Sequence, residues 1–233
     1  MSRITGNSAM ADGGRLLQVA FEGAGQVWPG QWFHLGLSGR TLALPVLDAS
    51  PAEGWLAFRL PPDVLKEISA PLAYGSPCTL QGPHGDAVGA IPEGRRLVLL
   101  ADSVGLPSVL FAARLTTTGA LPLTMALVEL TGEAPVRLRP SRFMLPGVTP
   151  GTIAGLAALE EADIPSRIAH PWGMPGCHEG DLGDLLQHWL TERDAQSRWR
   201  DAVTIIGTAA FCERIAAVLR GRVGQYATRI LPG

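Results

Sequence analysis

The chain has 233 residues, 46% of them hydrophobic and 17% charged, with 28 glycines and 19 prolines. So much apolar content excludes a disordered tail, and glycine without a three-residue period excludes a collagen-like rod, leaving a globular protein long enough for two domains. A net charge of −2, from 19 basic and 21 acidic residues, is too balanced to gather phosphates, so no nucleic-acid partner is expected.

Cys78, Cys177 and Cys212 are odd in number and lack C-x-x-C spacing, which suits buried thiols in a reducing compartment better than a disulfide framework. Residues 1–10 contain no apolar h-region, and no run approaches 18 apolar residues. Neither a signal peptide nor a membrane span is expected, and the location reads as cytoplasmic.

Residues 1–14 read as a flexible N-terminus. From Arg15 to about Val88, short apolar or alternating runs are cut by Gly and Pro: Leu16–Phe21, Trp32–Leu37, Leu42–Leu47, Trp55–Leu60 and Pro77–Leu80. This spacing predicts an antiparallel β-barrel domain over 15–92. A helical turn fits between Pro61 and Ala70, where Leu60, Val64 and Ile68 share one face.

After Ile91-Pro92-Glu93-Gly94 the rhythm becomes apolar runs followed by helical patterns, which predicts an α/β domain with a parallel sheet over 93–233. Its strands are expected at Arg96–Ala101, Leu121–Leu130, Ser141–Leu145, Ser166–His170, Ala202–Gly207 and Ala227–Leu231. Its helices are expected at Leu106–Thr117, Gly151–Ala162, Leu182–Glu192 and Ala209–Leu219. Glu160, Glu161 and Asp163 read as a solvated helix end.

Four local words stand in a telling order: Pro29-Gly30-Gln31-Trp32, Gly82-Pro83-His84-Gly85, Val104-Gly105-Leu106-Pro107 and Ile205-Ile206-Gly207-Thr208. With the barrel-then-α/β order, they resemble ferredoxin–NADP reductase-type flavoproteins, in particular the electron-transfer subunit of two-component dihydroorotate dehydrogenases, over Arg15 to Gly233. The resemblance implies an FAD-binding barrel and an NAD-binding Rossmann-like domain with the flavin ring between them. It carries cofactor contacts onto Pro45, Gly82, Pro83, Gly85, Gly105 and Gly207.

Several family positions have changed. The flavin word, arginine-proline-aromatic-serine, is Leu44-Pro45-Val46-Leu47 here, so the cation for the flavin phosphate and the hydroxyl near the ring are both aliphatic. Arg40 is one candidate replacement, and plain loss is the other. The dinucleotide turn reads Ala101-Asp102-Ser103-Val104-Gly105: three family glycines are gone, and a carboxylate stands where a pyrophosphate would dock. Asp102 or Ser103 also fits an N-cap of the following helix.

The family's cysteine-glycine-proline word is Ile206-Gly207-Thr208, its ribose-binding acids are His170-Pro171-Trp172-Gly173, and no cysteine lies in the last twenty residues to build the subunit's iron–sulfur cluster. The expectation is therefore FAD or FMN as the cofactor, with no iron–sulfur cluster and no NAD.

Other chemistry is weakly signalled. His170, Cys177, His178, Glu179 and Asp181 are zinc-type ligands, but three are consecutive, so a polar loop rather than a metal site is expected. His34 and His84 are solitary, G-x-S-x-G is absent, and no catalytic residue is assigned. Of six tryptophans, Trp32 and Trp55 are assigned to the barrel core, whereas Trp172 and Trp199 suit an interface.

These observations lead to an accessory or electron-transfer-like subunit of a flavin-dependent oxidoreductase. Its expected partner is a catalytic flavoprotein dehydrogenase subunit in a hetero-oligomer, with dihydroorotate dehydrogenase, an enzyme of pyrimidine biosynthesis, as the candidate. The alternative is a working flavin reductase that binds FAD or FMN through non-standard contacts.

Overall fold

A computed structural model describes residues 2–37, 39–68, 72–89, 91–192 and 200–233. Trp199 lies outside the described residues. Six strands close into a barrel: β1 (Ser2–Ala9), β2 (Arg15–Ala20), β3 (Trp32–Leu37), β4 (Arg40–Ser50), β5 (Trp55–Leu60) and β6 (Pro77–His84), in spatial order β1-β2-β5-β4-β3-β6. Strict alternation builds this wall. In β3, Phe33, Leu35 and Leu37 point inward, and in β5 so do Leu56, Phe58 and Leu60, all of them buried.

Ser2–Ala9 replaces the expected flexible start. It pairs with β2 and, through Ser2 opposite Cys78, with β6, which closes the barrel. In this strand only Ile4 is buried, so hydrophobic alternation gave no sign of it; backbone pairing defines it instead. Trp32 and Trp55 also differ from expectation. Both lie on the outer face of the barrel wall, Trp32 packed against the α/β core and Trp55 beneath the Arg114 guanidinium, 5.8 Å from the ring centroid.

The second half forms a six-stranded, wholly parallel sheet: β7 (Arg96–Ala101), β8 (Leu123–Glu129), β11 (Ser166–His170), β12 (His178–Glu179), β13 (Asp201–Gly207) and β14 (Gln225–Ile230), in order β12-β11-β8-β7-β13-β14. Both faces are covered, which is why β7 reads as an unbroken apolar run. Helices α2 (Leu106–Thr117) and α3 (Ala157–Glu161) pack on one face; α4 (Leu182–Glu192), with Trp189 at its centre, and α5 (Ala209–Leu219) pack on the other. The short α1 (Pro62–Glu67) follows β5.

The expected strand at Ser141–Leu145 and helix at Gly151–Ala162 do not form as such. A two-stranded antiparallel pair, β9 (Leu138–Pro140) and β10 (Ala154–Leu156), precedes a helix of only five residues. Gly151 has φ +90, and a Cβ on Gly155 would meet Glu160 Oε1 at 2.8 Å, so glycine backbone rather than helix occupies this stretch. Nor is Glu160 solvated. It is fully buried, accepting hydrogen bonds from Ser141 Oγ (2.6 Å) and Arg142 N (3.2 Å), and so holds the incoming loop.

Helix α2 joins the two halves. Val109, Ala112 and Ala113 belong to the sheet core, whereas Phe111 enters the barrel core, where burial contributes about 2–3 kcal/mol. Arg114 ion-pairs with Asp48 and donates to Ala49 O at 3.0 Å, fixing α2 against β4. No helix among the described residues is long and apolar enough to cross a membrane.

Candidate functional site

In an open parallel sheet, the crevice forms where neighbouring strands send their helices to opposite faces. Here those strands are β7 and β13, with α2 and α5 departing in opposite directions from their C-terminal ends. Asp102, directly after β7, fills that crevice. Its Oδ1 accepts from Gly105 N at 2.8 Å; its Oδ2 accepts from Thr208 N at 2.8 Å and Thr208 Oγ1 at 2.9 Å. Thr208 in turn caps α5, accepting from Phe211 N at 3.4 Å.

One buried carboxylate therefore occupies the N–H groups that begin two helices, the groups that elsewhere receive phosphate. The N-cap expected at Asp102 or Ser103 falls instead on Gly105, which has no side chain to cap the helix; Asp102 accepts from that residue's N–H and also reaches across to the neighbouring strand. The two glycines expected here sit in contact with this arrangement. A Cβ on Gly207 would lie 2.5 Å from the Asp102 carboxyl carbon, and one on Gly105 would lie 2.1 Å from Ile206 O.

A second acid is similarly engaged. Glu129 ends β8, the strand whose terminal acid would face a dinucleotide ribose. Its Oε2 accepts from Leu182 N at 2.7 Å, and both oxygens accept from Arg214 Nη2 at 2.8 and 2.9 Å; Arg214 also pairs with Asp181 at 3.0 Å. Glu129 thus ties the start of α4 to the middle of α5, and no sequence motif pointed to it.

Between barrel and sheet an open cleft of about 400 Å³ runs along the outer face of β4, with walls from Thr41 to Pro45, Pro61, Val64, Val104, Pro107 and Pro232 and polar groups on Arg59, Asp63 and Ser103. Pro45 lies in it; Gly105 and Gly207 do not line it, although Val104, next to Gly105 in the chain, does. Gly82, Pro83 and Gly85 do not line it. Gly82 and Pro83 lie in the exposed last residues of β6, with a cis bond between them, and Gly85 follows against the Trp32 ring, one strand removed from Pro45. Arg40 is committed elsewhere, paired with Glu67 on α1. Among the described residues, Arg59 is the cation that lines the cleft, and the sequence words did not point to it.

The remaining candidates separate. His34 and His84 are not solitary: their rings pack at 5.0 Å, both against Trp32. Among the described residues no group of three or more His, Cys, Asp or Glu side chains is arranged to hold a metal. Burial pushes the thiols of Cys177 and Cys212 up to about 11, the latter with help from the Asp102 charge, which disfavours the thiolate form of both.

His178 is buried with its Nε2 unpartnered. Its Nδ1 lies 3.4 Å from Thr149 Oγ1, and Thr149 and His188 line a larger hollow of about 610 Å³ that shares no residue with the cleft. Burial, then the adjacent His188, holds His178 below the ordinary imidazole value against the opposing pull of Asp184 and Asp181. A lowered folded value means that the unfolded chain takes up the proton first, so stability falls as pH drops below about 6.5. His178→Gln is expected to flatten that acid limb, measured as urea midpoints between pH 7.5 and 5.5.

No family model matches the chain, and no curated protein does. Solved structures do. A cytochrome P450 reductase from Amycolatopsis superposes with a TM-score of 0.67 over 98% of this chain and 68% of its own, at 16% identity. The ferredoxin reductase in carbazole 1,9a-dioxygenase gives 0.69 over 98% and 68%, at 12% identity. A ferredoxin–NADP reductase from Neisseria gonorrhoeae, with bound FAD and NADP, gives 0.65 over 97% and 96%, at 15% identity. The fold is that of the ferredoxin–NADP reductase class: a closed antiparallel barrel followed by a Rossmann-like parallel sheet.

Proposed function

We propose that this chain is an electron-transfer-like subunit that holds a flavin in the barrel–sheet cleft but takes no nicotinamide dinucleotide, and so exchanges electrons with a partner protein. The observation that carries this reading is the contrast between two sites. The dinucleotide crevice is filled by the Asp102 carboxylate, whereas the cleft beside Pro45 stays open and mostly apolar, with the size and lining of a small-molecule site. A bound flavin would supply electron transfer in single or paired steps.

The chain's own residues would seat the ring against Pro45, Val104 and Pro107 and keep water from one of its faces. A pyrophosphate approaching Asp102 meets a buried negative charge whose donors are already used. For the partner, Trp172 is 75% exposed in a loop that packs against Ile153, itself 51% exposed, and exposed aromatic and aliphatic surface of this kind favours a protein contact. A dihydroorotate dehydrogenase catalytic subunit is the candidate on the resemblance of the sequence words.

The test is a single absorbance experiment. Purified protein should be yellow, or become so on adding FMN or FAD, and under anaerobic conditions excess NADH should leave the flavin band near 450 nm unbleached over minutes, an expectation resting on the closed crevice. Protein that stays colourless with added flavin, or whose flavin bleaches rapidly with NADH, overturns the proposal. Co-expression with the organism's dehydrogenase tests the partner; separate elution removes that candidate.

A further inference from the structure

With the family's strand arginine replaced by Leu44, the cleft needs another source of positive charge if it is to hold a phosphorylated ligand. The strand register supplies one. Val46 stands opposite Phe58, so Arg59, one step along β5, lies beside Pro45; because Leu56, Phe58 and Leu60 point into the barrel, Arg59 points out. Its side chain lines the cleft and also the adjoining hollow of about 300 Å³, so the guanidinium stands where the two meet.

Arg59 is positioned from behind. Asp12, in the turn between β1 and β2, ion-pairs with its Nη2, and Asp12 is itself fixed by accepting from Gly14 N at 3.0 Å. The Arg59 side chain is only 19% exposed and its Nε has no partner among the described residues. Its Nε is buried, so the donors it can offer to the cleft are those of the guanidinium tip that Asp12 does not take, and a fork held on one side by a carboxylate can pair a second anion on the other.

The same surroundings limit what that anion can be. Asp12 and Asp63 are two carboxylates around one cation, and the nearby N–H groups at the start of α2, which could have held a second phosphate, are engaged by Asp102. One phosphoryl group can be paired here, and a pyrophosphate would leave charge unpaired in a partly desolvated cleft.

We infer that Arg59 is the phosphate anchor of the cleft and makes it selective for a flavin monophosphate over a flavin dinucleotide. This inference rests on the flavin reading above. It assigns Arg59 a binding role and no part in electron transfer.

Equilibrium titrations of the full chain with riboflavin, FMN and FAD, followed by quenching of flavin fluorescence, test it. The wild type should bind FMN about tenfold or more tightly than riboflavin, the effect of a charge-assisted contact, and FAD more weakly than FMN. Arg59→Met should bring the FMN-to-riboflavin ratio to about one while leaving riboflavin affinity within about twofold, and Arg59→Lys should keep part of the ratio.

Because Arg59→Met leaves Asp12 without its ion-pair partner, the double variant Asp12→Asn/Arg59→Met is titrated beside it and should show the same lost ratio in a cleft without the orphaned charge. Riboflavin and FMN bound equally by the wild type, FAD bound more tightly than FMN, or an unchanged ratio in either Met variant overturns the inference and leaves the flavin reading standing. No uptake of any of the three flavins defeats the flavin reading and the inference together.

Discussion

Asp102→Ala is expected to lower stability by about 3 kcal/mol, read as a shifted urea midpoint with unchanged slope. The carboxylate is buried and accepts from three donors, Gly105 N, Thr208 N and Thr208 Oγ1, on two different strand ends. Each hydrogen bond to a charged group is worth about 1.5–3 kcal/mol, but the three act as one unit, the Thr208 hydroxyl can rotate, and water can enter the space, so their sum is not reached. Asp102→Asn should fall in between, because its amide offers one acceptor and turns N–H toward donors that need an oxygen. A change below about 0.5 kcal/mol would show that Asp102 is an ordinary solvated turn residue.

Gly105→Ala should be comparably damaging for a different reason, with a loss of about 3 kcal/mol. The added methyl would lie 2.1 Å from Ile206 O and 2.8 Å from Ile206 C, backbone atoms of strand β13, which pairs with β7 and β14 on its two sides. No rotamer relieves that contact, so α2 must lift from the sheet and draw Phe111 from the barrel core. Gly132→Ala is the internal control. Nothing lies within 4 Å of its Cβ position and its φ is ordinary, so its midpoint should move by less than about 0.5 kcal/mol.

The two results bear on one question, why this crevice differs from the open one its fold allows. Gly105 keeps the close approach of helix and strand that the architecture requires, whereas Asp102 occupies the space that approach leaves. The helix keeps its packing against β13, and the Asp102 carboxylate takes up the N–H groups of Gly105 and Thr208. Both residues hold the start of α2 to β13, Gly105 by close backbone packing and Asp102 by hydrogen bonds to Gly105 and Thr208.

The regular elements were largely legible in the sequence. Trp32–Leu37, Trp55–Leu60, Arg96–Ala101, Leu106–Thr117, Ser166–His170, Leu182–Glu192 and Ala209–Leu219 form with the bounds their periodicity predicts. Alternation and helical spacing are local properties, set by which face a side chain must bury. Where burial gave little pattern, reading failed: β1 carries a single inward residue, and the stretch from Ser141 to Glu161 is organised by glycine backbone and by the buried Glu160.

The site divides in the same way. That the chain carries a carboxylate at 102 and an aliphatic side chain at Leu44 is plain from the chain itself, and so is the barrel-then-parallel-sheet order. Only the tertiary structure decided what those residues do. It brought Thr208 within 2.9 Å of Asp102 from 106 residues away, gave Arg40 to Glu67, and set Arg59 beside Pro45 through the pairing of β4 with β5. Periodicity reports how each segment meets its own core, but the partner of a charge is set by strand order and register, which no short segment contains.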